Sequence, residues 1–171
     1  MFALRRGPLI VEIERKFLVL HDTWKAGVVA ARPIRQGYVA EGPSLTVRVR
    51  RVGGEGRLTL KSRVAGLSRF EFNTPLALED AERLLDEHRT GGLIEKTRHR
   101  VRWDGREWDI DVFAGENEGL VVAEVEFDDE AAAAALVPPA WAGREVTGEE
   151  RYYNASLARC PYRLWAADAR R

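Results

Sequence analysis

The sequence predicts a mainly β domain of the α+β class, with antiparallel strands and two or three helices. Three observations carry that prediction. Alternation of charge and bulk with period two recurs along most of the chain, as expected of strands with one buried face. Turn residues such as Gly53-Gly54, Ala65-Gly66 and Asp104-Gly105 separate consecutive alternating segments, which favours hairpins. Only three stretches carry helical spacing.

Taken in order, residues 9–19 set Glu12, Glu14 and Lys16 on one face, with Val11, Ile13 and, less tidily, Arg15 on the other. Residues 32–40 give a weaker strand around Ile34, Tyr38 and Val39. Residues 44–52 oppose Thr46, Arg48 and Arg50 to Leu45, Val47 and Val49. Residues 56–64 oppose Arg57, Thr59, Lys61 and Arg63 to leucines, and residues 67–75 oppose Arg69, Glu71 and Asn73 to Phe70 and Phe72. Past a helix at 78–88, residues 94–103 put Lys96, Arg98 and Arg100 on one face. Residues 107–113 carry Asp109 and Asp111, and residues 120–127 carry Glu124 and Glu126. Residues 129–136 form an alanine-rich helix with acids at its start, stopped by Pro138-Pro139; a third helix spans 149–160. Eight strands result.

With 171 residues the chain fits a single domain over 1–171, its core at about 9–160 and its termini peripheral. Its 27 basic and 27 acidic residues cancel, which argues against a general nucleic-acid binder or anionic-membrane binder. One cysteine, Cys160, can form neither an internal disulfide nor a zinc cluster and is read as packing. No apolar run is long enough for a membrane span or signal core, so a cytoplasmic protein is expected.

The charges are sorted by strand, and their meaning depends on where the charged face lies. On an open sheet they are the wet side of the fold. Eight antiparallel strands are also enough to close a barrel, whose lumen they would line. Residues i and i+2 on one face stand roughly 6.5–7 Å apart. Like charges at that spacing repel by ~0.6 kcal/mol in water and ~2.4 kcal/mol at an effective dielectric near 20. An enclosed face therefore demands counter-ions. Paired carboxylates suit Mg²⁺ or Mn²⁺, and facing Lys and Arg suit phosphate oxygens. Together they describe a metal–polyphosphate site.

The segment Glu12-Ile13-Glu14-Arg15-Lys16 resembles the ExExK signature of the CYTH superfamily, the triphosphate tunnel metalloenzymes. In order there follow Arg48-Val49-Arg50, Thr59-Leu60-Lys61, Leu67-Ser68-Arg69 with Glu71, Glu95-Lys96-Thr97-Arg98, Asp111-Val112-Phe113-Ala114-Gly115 and Glu124-Val125-Glu126-Phe127. Arg151-Tyr152 with Asn154 near the end completes the likeness to short bacterial members. Some relatives carry further lysines there, where this chain has Glu150 and Tyr153.

The resemblance implies an eight-stranded antiparallel closed barrel, a charged tunnel with a few peripheral helices. It implies a metal-dependent hydrolase of a small-molecule triphosphate, foremost inorganic tripolyphosphate to pyrophosphate and phosphate, with Mg²⁺ or Mn²⁺. Adenylate cyclase or thiamine triphosphatase activity on the same tunnel is the alternative, and a non-catalytic polyphosphate or nucleotide sensor is an alternative of another class. Carried over by position, Lys16, Arg48, Arg50, Lys61, Lys96 and Arg98 grip the phosphates, helped by Arg69. Glu12, Glu14 and Glu126, with Glu124 beside them, hold metal and position water; with Lys16 the first three form the catalytic set. Glu71 and Asp111 are further acidic lining. His21, His88 and His99, the tryptophans and Tyr38 are read as surface or packing residues, His99 facing away from Lys96 and Arg98. Three short helices cannot cover eight strands, and a homodimer is one way to cover the exposed wall.

Overall fold

The computed structural model describes residues 13–42, 45–63 and 69–165, with side chains 62–63 and 69–71 excepted. Nine strands form one antiparallel sheet: β1 (Ile13–Val19), β2 (Val28–Glu41), β3 (Leu45–Val52), β4 (Glu55–Arg63), β5 (Arg69–Leu76), β6 (Ile94–Trp103), β7 (Arg106–Ala114), β8 (Val121–Phe127) and β9 (Ala142–Glu145). Three helices accompany them: α1 (Leu78–Glu87), α2 (Glu130–Ala134) and α3 (Asn154–Arg159). The strand order is β5-β4-β3-β2-β6-β7-β8-β1-β9.

The mainly β, antiparallel class is as expected, but the eight-stranded closed barrel is not. The sheet has nine strands and is open, with β5 and β9 as its edges. The added strand is the four-residue β9, which pairs only with β1, through Phe17↔Glu145 and Val19↔Ala142. β2 is also far longer than the weak strand predicted at 32–40, because it pairs along both flanks, with β3 and β6. The third predicted helix breaks in two: a 3-10 turn at Glu150–Tyr152 and then α3. The Ala65-Gly66 turn lies outside the described residues.

Local chemistry accounts for the rest. The β6–β7 hairpin closes on Asp104 (φ 49°) and Gly105 (φ 72°), the left-handed pair that a two-residue turn needs. The Asp129 side chain accepts from the Ala132 N–H at 2.7 Å and caps α2. Arg15 then holds that helix end to the sheet, donating to the carbonyls of Ala133 and Leu136 while its other nitrogens pair with Glu145.

Two apolar layers cover the face of the sheet opposite the charges. Phe17, Val101, Trp108, Ile110, Ala123 and Val125 meet Trp24 and Trp141 in one. His99 belongs to this side, 5.1 Å from the Trp24 ring and turned from Lys96 and Arg98 as expected. In the other layer, Ala81 and Leu85 of α1 pack on Val49. Gly37 lies beneath, where a Cβ would meet Leu85 Cδ2 at 3.2 Å. A third cluster plugs one end of the charged face: Tyr38, Ile94, Phe113 and Val122 against Val146, Tyr152, Leu157 and Ala158. Cys160, read as packing, is instead exposed, because it follows the last turn of α3. No helix among the described residues is long and apolar enough to cross a membrane.

Candidate active site

Register decides which charges share a face. Lys16 stands opposite Glu124 and Glu14 opposite Glu126 in the β1–β8 pair. Asp109 faces Glu124 across β7–β8, and Arg98 faces Asp111 across β6–β7. Ile34 of β2 then lies opposite Lys96, and Gln36 and Tyr38 opposite Arg50 and Arg48. Beyond them Thr59 faces Arg48, Arg57 faces Arg50 and Lys61 faces Thr46. Because opposite residues point to the same side, the alternating charged positions of seven strands, β1, β8, β7, β6, β2, β3 and β4, converge on one face. Glu71 and Arg69 hold the β5 positions opposite Lys61 and Arg63; their side chains, like Glu12 as a whole, lie outside the described residues.

At the centre of the face is a chain of ion pairs. Lys16 Nζ is 2.9 Å from Glu124 and 3.7 Å from Glu14. Glu124 also accepts from Arg98 at 2.9 Å. Arg98 grips Asp111 with two nitrogens, at 2.8 and 2.7 Å, and reaches Asp109 at 3.1 Å. Lys96 completes the chain, 2.5 Å from Asp111. Lys96 and Asp111 are only 4% and 1% exposed, so each needs the other to remain charged.

The titration of these groups follows from that wiring. Asp111 is pushed up by burial, but Lys96 and Arg98 override this and hold it well below the usual carboxylate range. Burial pulls Lys16 down, and Glu124 and Glu14 more than restore it. Lys96 stays below its ordinary value, burial and Arg98 outweighing Asp111. Arg50 is different. Burial, then Arg48 and Arg98, pull it down to about 10. Its hydrogen bond goes to the neutral Oε1 of Gln36, at 3.2 Å. Among the described residues no carboxylate lies within ion-pair distance of it. Arg48 leans on Thr59 Oγ1 at 3.4 Å, which in turn donates to Asn73 at 2.6 Å.

The C-terminal segment also reaches the site. The Lys16 ammonium lies 5.2 Å from the centroid of the Tyr153 ring, and Lys96 donates to Asn154 Oδ1 at 3.4 Å. Tyr153, Gln36, Asp109 and Thr59 were not among the predicted site residues. Parity would have found two of them, since Asp109 stands two residues from Asp111 and Thr59 two from Lys61. Tyr38 packs in the plug, as predicted, though its register places it beside Arg48.

For a divalent metal, the donor chemistry fits. Glu14 and Glu126 face each other across β1–β8, a like-charge pair that a hard cation would relieve. Glu126 is exposed, Glu14 is partly buried, and Glu124 stands two residues along the same face. Among the described residues no three acidic, His or Cys side chains are yet gathered closely enough to form a complete cage.

Such a face defines a class of protein, a β-sheet domain that collects cations for a small polyanion beside oxygen donors for a hard cation. The chain belongs to the CYTH domain family, whose model matches residues 11–161. It is 41% identical over 155 residues to an inorganic triphosphatase of Acetivibrio thermocellus, covering 89% of this chain and 96% of that protein. It is 43% identical over 151 residues to an inorganic triphosphatase of Nitrosomonas europaea, covering 87% and 97%. Among solved structures it resembles the crystal structure of an inorganic triphosphatase, with a TM-score of 0.71 and 38% identity over 94% of this chain and 99% of that one.

Proposed function

We propose that the protein is a hydrolase of inorganic tripolyphosphate, releasing pyrophosphate and phosphate. The observation that carries this is the convergence of Lys16, Lys96, Arg98, Arg50 and Arg48 on one face, with Glu14 and Glu126 facing each other at its edge. Relatives matched over 96% and 97% of their own length are inorganic triphosphatases.

In this reading Lys16, Arg48, Arg50, Lys61, Lys96 and Arg98, with Arg69, bind the phosphate oxygens and neutralise their charge. Asp111 keeps Lys96 and Arg98 aligned, and Glu71 is placed beside Lys61 to do the same. Glu12, Glu14, Glu124 and Glu126 would hold Mg²⁺ or Mn²⁺, which supplies charge neutralisation of the bridging oxygens. Glu126, exposed on the face, orients a water for in-line attack on the terminal phosphorus. The water oxygen bonds to phosphorus as the bridging P–O bond breaks; the carboxylate takes the proton and pyrophosphate leaves. No Ser, Cys or His nucleophile is required. We place the protein in the cytoplasm, and a homodimer would cover exposed apolar residues such as Phe72 and Val137.

The test is phosphate release from tripolyphosphate, ATP and thiamine triphosphate with Mg²⁺, Mn²⁺ or EDTA, beside a folded Glu14→Ala variant. Metal-dependent release from tripolyphosphate, lost in the variant, is the expected outcome. Preference for ATP or thiamine triphosphate would replace the substrate. Tight binding in EDTA without turnover of any of the three would leave a sensor.

A further inference from the structure

Resting on the triphosphate reading, we propose that Gln36 is a positioning residue of this site: its carboxamide aims Arg50 and donates its own N–H to the same phosphate group. Gln36 is fully buried, yet it sits in β2 between the charged strands, opposite Arg50 of β3 and Ile94 of β6. A guanidinium can only donate, so the bond from Arg50 Nε fixes which way the carboxamide lies, with Oε1 toward the arginine. The Nε2 group then points its two N–H donors elsewhere, and no acceptor among the described residues meets them.

A buried donor without an acceptor is unfavourable. Here the neighbours cannot repair it. Arg50, Lys96 and Arg48, opposite or diagonal to Gln36 in register, are themselves donors without lone pairs to offer, and Tyr38 two residues along β2 makes no hydrogen bond to it. The missing acceptor must come from outside, and a phosphate oxygen is acceptor only. Amide bond lengths put Nε2 about 2.2 Å from Oε1. With Arg50 Nε 3.2 Å from that oxygen, Nε2 and Nε are no more than about 5.5 Å apart, a gap that the oxygens of one phosphate group bridge. Gln36 thus does two things at once: it holds Arg50, which has no carboxylate within ion-pair distance among the described residues, and it adds a neutral donor where another cation would raise the repulsion.

Two substitutions separate these roles. Gln36→Met keeps the volume and removes both donor and acceptor. Gln36→Glu keeps the acceptor for Arg50 and removes the donor. Tripolyphosphate affinity is read by calorimetry in EDTA, steady-state turnover with metal, and melting temperature without ligand. Both variants are expected to melt within a few degrees of the parent and to bind tripolyphosphate about 10–100-fold more weakly, with the loss in KM rather than kcat. Affinity within twofold of the parent in both variants would overturn the proposal. So would a Gln36→Met protein that melts far lower while Gln36→Glu binds normally, since that marks a purely structural glutamine. A parent protein that fails to bind tripolyphosphate at all would instead overturn the triphosphate reading, and this inference with it.

Discussion

The two halves of the charged face carry the same kind of cation in opposite settings. On β6, β7, β8 and β1, Lys16, Lys96 and Arg98 are wired to Glu124, Asp111 and Asp109 at hydrogen-bond distances. On β2 and β3, Arg50 is half-buried beside Arg48, and among the described residues its hydrogen bond goes to a neutral carboxamide. The first half pairs each of its three cations with an acid, and only the Glu14–Glu126 pair at its edge sets like charges opposite each other. The second is electrostatically unfavourable until an anion arrives. A protein can afford that imbalance only on part of its site, and the finished half supplies the rigidity.

The sharpest way to break the comparison is to remove one acid from the finished half. Asp111→Ala leaves Lys96 buried and uncompensated and is expected to destabilise the fold by about 3–5 kcal/mol, measured by urea denaturation. Arg50→Met, the matching change in the other half, should leave stability unchanged or raise it while abolishing tripolyphosphate binding by calorimetry. Equal destabilisation by the two would erase the distinction.

Acid titration makes the same point more gently. Asp111 titrates lower when folded than when unfolded, so its contribution is fully present above the ordinary carboxylate pKa. It is lost as pH falls toward the depressed folded value. Stability should fall with acid more steeply in the parent than in Asp111→Asn, by thermal melts from pH 6 downward. For Arg50 the slope has the same sign, but here it is the charged form that the fold disfavours. Folded Arg50 releases its proton at about 10, below the ordinary arginine range that the unfolded side chain keeps, so stability gains as pH rises above about 10. Bound phosphate would restore the proton, and calorimetry near pH 10 in buffers of different ionisation enthalpy should register proton uptake, absent in Arg50→Met.

The smallest effect is expected on the opposite side of β1 from Glu14 and Lys16. Glu145→Ala removes the exposed partner of Arg15 and should cost less than about 1 kcal/mol, with turnover unchanged.

How much of this was legible in the sequence differs by element. Strands such as β3 and β6 announced themselves, because alternation of Arg with Val or of Lys with Thr is a local property. The four residues of β9 have no such alternation; they form a strand because Arg15 and the β1 edge are there to pair with. Whether β5 and β9 meet is likewise a matter of three-dimensional curvature, which period-two patterning does not encode, so a closed barrel was expected where the sheet is open. In the site, the motifs located the cations and acids. Which acid neutralises which base was not readable, since Arg98 meets Asp111 and Glu124 through the registers of two strand pairs. Gln36 escaped notice because a lone neutral residue in a weakly patterned strand carries no local signal.

The position of β1 in the sheet has a temporal meaning. It is the first described strand to leave the ribosome, yet its partners among the described residues are β8 and β9, more than a hundred residues later. Lys16 and Glu14 therefore cannot join Glu124 and Glu126 until nearly the whole chain has been made. A nascent or C-terminally shortened chain presents a cationic sheet without its acidic edge, and the long sequence separation of that final pairing makes it the slow step of folding. The Glu14–Glu126 and Lys16–Glu124 pairs therefore form last, once the strands from β2 to β7 are already in place.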